Sequence, residues 1–176
     1  MVEGRRLRDY LAQKRAAMLA AAEAKPNAGD WSETVEARVV ADDASGVRKL
    51  LIRDWRFIGD SGPAFGGWSL GPSSPELLCG VIGTCLTHTY EIGAAWMEIP
   101  VDRIEVRVSA RNNDAAFMEI PGDQPSLPWD ITARVFLEAE DATPEQVASL
   151  HAYARERCPL TQLVRTANPV SIEVQG

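Results

Sequence analysis

Hydrophobic residues change period several times along the chain, and each change marks a predicted element. Over residues 2–25, Leu7, Tyr10, Leu11, Lys14, Met18 and Leu19 follow helical spacing in a segment rich in Ala, Arg, Lys and Glu. That pattern predicts an opening amphipathic helix, ended by Pro26-Asn27-Ala28-Gly29-Asp30, which packs on the domain or on a partner chain. From Trp31 the period falls to two. Val35, Ala37 and Val39 alternate with Glu36 and Arg38, and the alternation resumes after Asp42-Asp43-Ala44-Ser45-Gly46 through Ile52 to Ile58, as a hairpin or meander would require. Residues 60–68 are rich in glycine. No Gly-Lys-Ser/Thr follows them, so turn geometry explains these glycines better than a phosphate cradle.

A helical period returns after Gly71-Pro72. Ser73 or Ser74 suits the N-cap, Pro75 the first turn, and Glu76 the positive end of the helix dipole. Leu77, Leu78, Val81, Ile82, Cys85, Leu86, Thr89, Ile92 and Trp96 then recur at three- and four-residue steps, giving a wide apolar face. Gly80, Gly83 and Gly93 weaken the intrinsic propensity, so this helix must be held by close packing. Pro100 stops it.

Val101, Ile104, Val106, Val108 and Ala110 predict a strand, and Ile131, Ala133, Val135 and Leu137 another, with a long proline-containing loop over 112–129 between them. Thr143-Pro144-Glu145-Gln146 is a capping box that opens a helix with Val147, Leu150 and Tyr153 on its apolar face. This helix runs down to Cys158, and Pro159 starts a short helical turn to Leu163. Val170, Ile172 and Val174 predict a closing strand. Helices between blocks of strands predict an α+β fold with a largely antiparallel sheet. We expect residues 1–30 to be a helical extension with its linker and 31–176 the main domain.

Composition narrows the function. With 176 residues, 45% of them hydrophobic, the chain can build one real core. A net charge of −7 and a pI near 4.9 argue against a nucleic-acid surface. His88 and Glu91 interrupt the one long apolar run, and Lys14 and Arg15 split any leader-like core near the start, so a cytoplasmic protein with no membrane span is expected. Three cysteines without a Cys-x-x-Cys, and two histidines, support neither a disulfide scaffold nor a zinc site. The thiols are left as buried or reactive groups.

Gly71-Pro72-Ser73-Ser74-Pro75-Glu76-Leu77-Leu78, Gly83-Thr84-Cys85-Leu86-Thr87, the strand from Ile104 to Val108, Cys158-Pro159 and Asn168-Pro169-Val170 together resemble the OsmC/Ohr family of osmotically inducible and organic hydroperoxide resistance proteins. The resemblance covers residues 35–174 and leaves the opening helix outside. It implies an intertwined homodimer with the long helices central and with sites built from both chains. It also implies that Cys85 is peroxidatic and Cys158 resolving, in a cofactor-free, metal-free reduction of organic or lipid hydroperoxides within an oxidative stress response. A small or protein dithiol, such as a lipoyl-bearing protein, would then be the reductant.

That chemistry needs a thiolate, and an apolar helix raises a thiol's pKa, so a cation must lower it again. The family uses an arginine from the early strands held by a glutamate of the central helix. Arg48 and Arg53 are the candidates, with Arg38 third. The family's glutamate stands ten residues before the first cysteine, where this chain has Pro75; Glu76 follows one step later, about 100° around the helix. Glu76 can therefore serve as the arginine holder or simply favour the helix N-terminus. His88, three residues after Cys85, is a candidate for polarising the thiol or lining the pocket, besides a plain structural role. Phe65, Phe117 and Trp129 are expected pocket walls, and Cys79 a structural thiol. Trp68, Tyr90 and Trp96 read as core or interface aromatics. The alternative function is a non-catalytic dimer that binds an apolar small molecule in its interfacial pocket.

Overall fold

The opening amphipathic stretch forms helix α1, Leu7–Ala24, and the first alternating stretch forms strands β1, Arg38–Ala41, β2, Arg48–Ile52, and β3, Trp55–Gly59. The long apolar helix is α2, Ser74–Trp96, followed by β4, Arg103–Arg111, β5, Trp129–Glu138, α3, Pro144–Arg157, and α4, Pro159–Arg165. This is a computed structural model that describes residues 6–123, 125, 127–166 and 169–174. The elements form an α+β arrangement of small antiparallel sheets and helices. The chain divides into two compact units, Met1–Ala20 with Val81–Arg107 and Ala133–Gly176, and Ala21–Gly80 with Val108–Thr132.

The first unit holds the hydrophobic core. Leu11 of α1, Leu86, Tyr90, Ala94 and Ala95 of α2, Ile99, Val101, and Leu150 and Ala154 of α3 are buried together with Cys158. Small residues on α2 allow this closeness: a methyl on Gly93 would stand 2.7 Å from Tyr153 Cδ1 and 2.9 Å from Leu150 Cδ1. The capping box on α3 forms as the sequence predicts, with Thr143 Oγ1 accepting from Gln146 N–H and Gln146 Oε1 accepting from Thr143 N–H. Helix α2 ends in a Schellman arrangement, because Ile99 N–H reaches Ala94 O while Glu98 adopts a left-handed φ of 56°.

Helix α1 packs on this same unit. Its Leu11 enters the core, the Arg8 guanidinium pairs with Asp102 and with Asp141, Lys14 meets Glu91 at 3.5 Å, and Arg15 meets Glu98 at 2.9 Å.

In the second unit β1, β2 and β3 form an antiparallel meander in which Arg48 of β2 lies opposite Gly59 of β3. Arg53 sits in the tight β2–β3 turn with a φ of 52°. The glycine-rich stretch after Asp60 is indeed turn-forming: a methyl on Gly67 would fall 2.0 Å from Ser61 O, so only glycine fits. β4 pairs with β5. Arg103 bonds Glu138 at one end of this pair and Arg111 meets Asp130 at the other, as an antiparallel hairpin requires.

The predicted closing strand does not form. Residues 169–174 are irregular, and Val170, Ile172 and Val174 are 84%, 87% and 92% exposed. Alternation alone cannot make a strand without a neighbouring edge to pair with. Asn168 and the first residues of the predicted opening helix, 2–5, lie outside the described residues.

Candidate active site

The core of the first unit brings two distant cysteines into contact. Cys85 lies midway along α2 with its side chain half-buried, and Cys158 is fully buried at the joint between α3 and α4. Their sulfurs are 3.6 Å apart, within hydrogen-bonding reach. The joint is fixed by backbone bonds, from Cys158 N–H to Ala154 O and from Gln162 N–H to Cys158 O, and by the Thr161 hydroxyl on Cys158 O. Pro159 cannot continue α3, yet it suits the first turn of the next helix, so the sequence Cys-Pro builds this corner.

Their environments differ. Burial pushes the Cys85 thiol above its ordinary value; the Leu160 N–H opposes this, and Cys158 adds to it. Burial also pushes Cys158 up, but the hydroxyl and N–H of Thr161, with Cys85 and Thr89, outweigh it and leave that thiol below its ordinary value. A thiolate on Cys85 therefore needs positive charge beyond what surrounds it in this unit. Close by in the same core, the buried Tyr90 hydroxyl bonds His151 Nδ1 at 2.7 Å, a pairing that no sequence spacing announced.

The second unit contains a cavity of about 1210 Å³ whose wall includes Arg48, Asp60, Phe65, Glu76, Cys79 and Phe117. Most of the remaining wall is apolar, including Leu78, Val108 and Met118. Phe65 and Phe117 meet edge to face with centroids 6.5 Å apart. Arg48 Nη1 donates to Gly46 O at 3.0 Å. Glu76 is engaged at the helix start instead, since its Oε2 accepts from both the N–H and the hydroxyl of Ser73 at 2.7 Å, which holds its carboxyl below the usual range. Asp60 is a buried carboxylate that the sequence reading passed over. It is 1% exposed and accepts from the N–H groups of Ser61, Trp68 and Leu70.

The other candidates lie elsewhere. Arg53 is exposed in its turn and Arg38 is exposed on β1. His88 is exposed on α2. Trp129 lies under the Arg111 guanidinium, 5.0 Å from its ring centroid, and like Arg53 and His88 it is not among the cavity residues. Trp68 and Trp96 are 65% and 49% exposed, whereas Tyr90 is in the core. Among the described residues no group of His, Cys, Asp and Glu is placed to hold a metal ion, and no helix is long and apolar enough to cross a membrane.

An α+β fold with a long central helix whose mid-point cysteine faces a second cysteine at a helix joint defines a class of thiol-bearing proteins. The chain belongs to the family of OsmC-like proteins, whose model matches residues 66–173. Solved structures agree in fold. The OsmC-like protein of Mycoplasma pneumoniae is 12% identical with a TM-score of 0.64, over 76% of this chain and 89% of that one. An organic hydroperoxide resistance protein OsmC from Legionella pneumophila is 13% identical with a TM-score of 0.54, over 76% and 90%. The organic hydroperoxide resistance protein OhrB of Bacillus subtilis is 19% identical with a TM-score of 0.50, over 76% and 91%. No curated protein matches the sequence.

Proposed function

We propose that this protein is a cysteine-based peroxidase that reduces organic or lipid hydroperoxides. The observation that carries the reading is the 3.6 Å approach of Cys85 and Cys158, which are far apart in sequence. The Cys85 thiolate attacks the distal peroxide oxygen, the O–O bond breaks, and the alkoxide takes a proton to leave as the alcohol. Cys85 is now a sulfenic acid. The Cys158 sulfur attacks Cys85 and water leaves, giving a disulfide. A dithiol, such as a lipoyl-bearing protein, returns both thiols by exchange and becomes oxidised itself. Neither metal nor organic cofactor enters these steps.

The activating cation is expected among the candidate arginines; Arg48 is the one of the three that lines the cavity, and Cys85 is not among that cavity's residues. In this reading the protein works as a cytoplasmic homodimer whose sites take residues from both chains. The apolar side chains of Val39, Phe57 and Ile58, exposed in the single chain, support a partner surface. The test is turnover of cumene hydroperoxide with a dithiol. Cys85→Ala abolishes it, while Cys158→Ala leaves one fast reduction and no disulfide. Full activity in Cys85→Ala ends the proposal.

The same cavity favours a second reading, a non-catalytic dimer that binds an apolar small molecule, because Glu76 is committed to capping rather than to an arginine. A copurified ligand in native mass spectrometry, together with thiols inert to peroxide, decides for it.

A further inference from the structure

Tyr90 and His151 form a polar pair in the core of the first unit that the thiol chemistry leaves unused. Tyr90 is 4% exposed, its hydroxyl lies 2.7 Å from His151 Nδ1, and the two rings meet edge to face with centroids 5.6 Å apart. The other buried core side chains of α2 and α3 are aliphatic: Leu86, Ala94, Ala95, Leu150 and Ala154. Apolar burial has no direction, whereas a buried hydrogen bond selects one arrangement of the elements that it joins.

The pair lies on the same helix seam as the thiols. Along α2 the order is Cys85, Tyr90, Gly93, and along α3 the matching partners run backwards from its C-cap: Cys158, His151, Leu150. All six residues belong to one compact unit, so the helices cross this seam antiparallel with the Tyr90 bond between the other two contacts. A slide of one residue along a helix is about 1.5 Å. The Tyr90 bond ends if its 2.7 Å lengthens beyond about 3.5 Å, so it fixes the register to less than one residue. That register also decides whether two sulfurs 3.6 Å apart can close into a disulfide, whose geometry is narrow.

We propose that the Tyr90–His151 bond positions Cys158 for disulfide formation with Cys85, by locking α3 in register on α2. The inference rests on the reading of these cysteines as a redox pair, but not on the nature of the oxidant. Neither side chain bonds a sulfur, so both are positioning residues that act through their helices.

The test equilibrates the full chain in glutathione redox buffers and reads the Cys85 to Cys158 disulfide by peptide mapping. The variants are Tyr90→Phe, which keeps the ring and removes the hydroxyl, His151→Ala, their double, and His151→Asn, whose amide stands where Nδ1 does. Tyr90→Phe and His151→Ala each lower the equilibrium constant for the disulfide by about fivefold, the net worth of one such bond. The double variant loses no more than either single one, and His151→Asn restores the wild-type value. A pair that only adds stability lowers the melting temperature of the reduced chain and leaves the disulfide equilibrium in place; that result overturns the proposal, as do losses that add in the double variant. Should Tyr90→Phe fail to fold, the two His151 variants decide: a loss in Ala that Asn restores supports the proposal, and equal values overturn it. A wild type that forms the disulfide in glutathione but consumes no cumene hydroperoxide removes the peroxidase reading, while the variants still decide this inference. A wild type that forms no such disulfide at any glutathione ratio overturns it.

Discussion

Gly93→Ala tests the helix contact that brings the two thiols together. Its new methyl would meet Tyr153 Cδ1 at 2.7 Å and Leu150 Cδ1 at 2.9 Å, well inside the favourable carbon separation of about 3.5–4.0 Å. Leu150 is fully buried and has no room to retreat, so α2 and α3 must separate. Overpacking of this kind costs about 1–3 kcal/mol, and two clashes on neighbouring side chains place it at the upper end. Replacing a helical glycine returns about 1 kcal/mol. The net loss is then about 2 kcal/mol, which for a chain of this size lowers the melting temperature by roughly 4–8 °C. The same separation draws Cys85 and Cys158 beyond their 3.6 Å contact, so oxidation to the disulfide slows. Circular-dichroism melts and mass spectrometry after diamide treatment give both readouts. A Gly93→Ala protein as stable as the wild type, with unchanged disulfide yield, refutes the packing account.

Other consequences are as direct. Glu98→Gly relieves a left-handed backbone at the end of α2, worth about 1 kcal/mol, and loses only the exposed Arg15 ion pair, so thermal melts show a small gain of about 1–2 °C. The Arg8 guanidinium holds the Asp102 carboxyl below its ordinary 3.8, so the stabilisation is full above that pH and is lost as pH falls through the lowered value. Urea midpoints of wild type and Arg8→Met therefore differ by a constant amount above about pH 5 and converge in stronger acid; a gap that widens in acid contradicts the pairing. Cys158 raises the Cys85 thiol's pKa, so Cys158→Ser shifts the Cys85 alkylation profile downward, and an upward shift contradicts the assignment.

Much of this architecture was legible in periodicity and caps. The wide apolar face of α2, the Thr143 capping box and the meander of β1 to β3 appear where residue spacing places them. The pairing of Cys85 with Cys158 came from the family resemblance, since no local spacing joins residues so far apart. Asp60 went unread because a single Asp before a glycine-rich turn looks like ordinary turn chemistry; the three amides converging on it depend on how the loop closes. Glu76 was legible as either of two things, and its engagement with Ser73 depends on helix-start geometry rather than on spacing from Cys85. The closing strand failed for a related reason: alternation in 169–174 encodes a face, whereas pairing needs an edge supplied from elsewhere.

The central claim is that Cys85 and Cys158 are a redox pair that responds to organic peroxide. Peptide mapping of the pure protein under non-reducing conditions, before and after one equivalent of cumene hydroperoxide and separately of hydrogen peroxide, tests it most directly. The account predicts a Cys85 to Cys158 cross-linked peptide, formed faster with the organic peroxide, with Cys79 left as a thiol. Both cysteines recovered reduced and unmodified after either peroxide would contradict it.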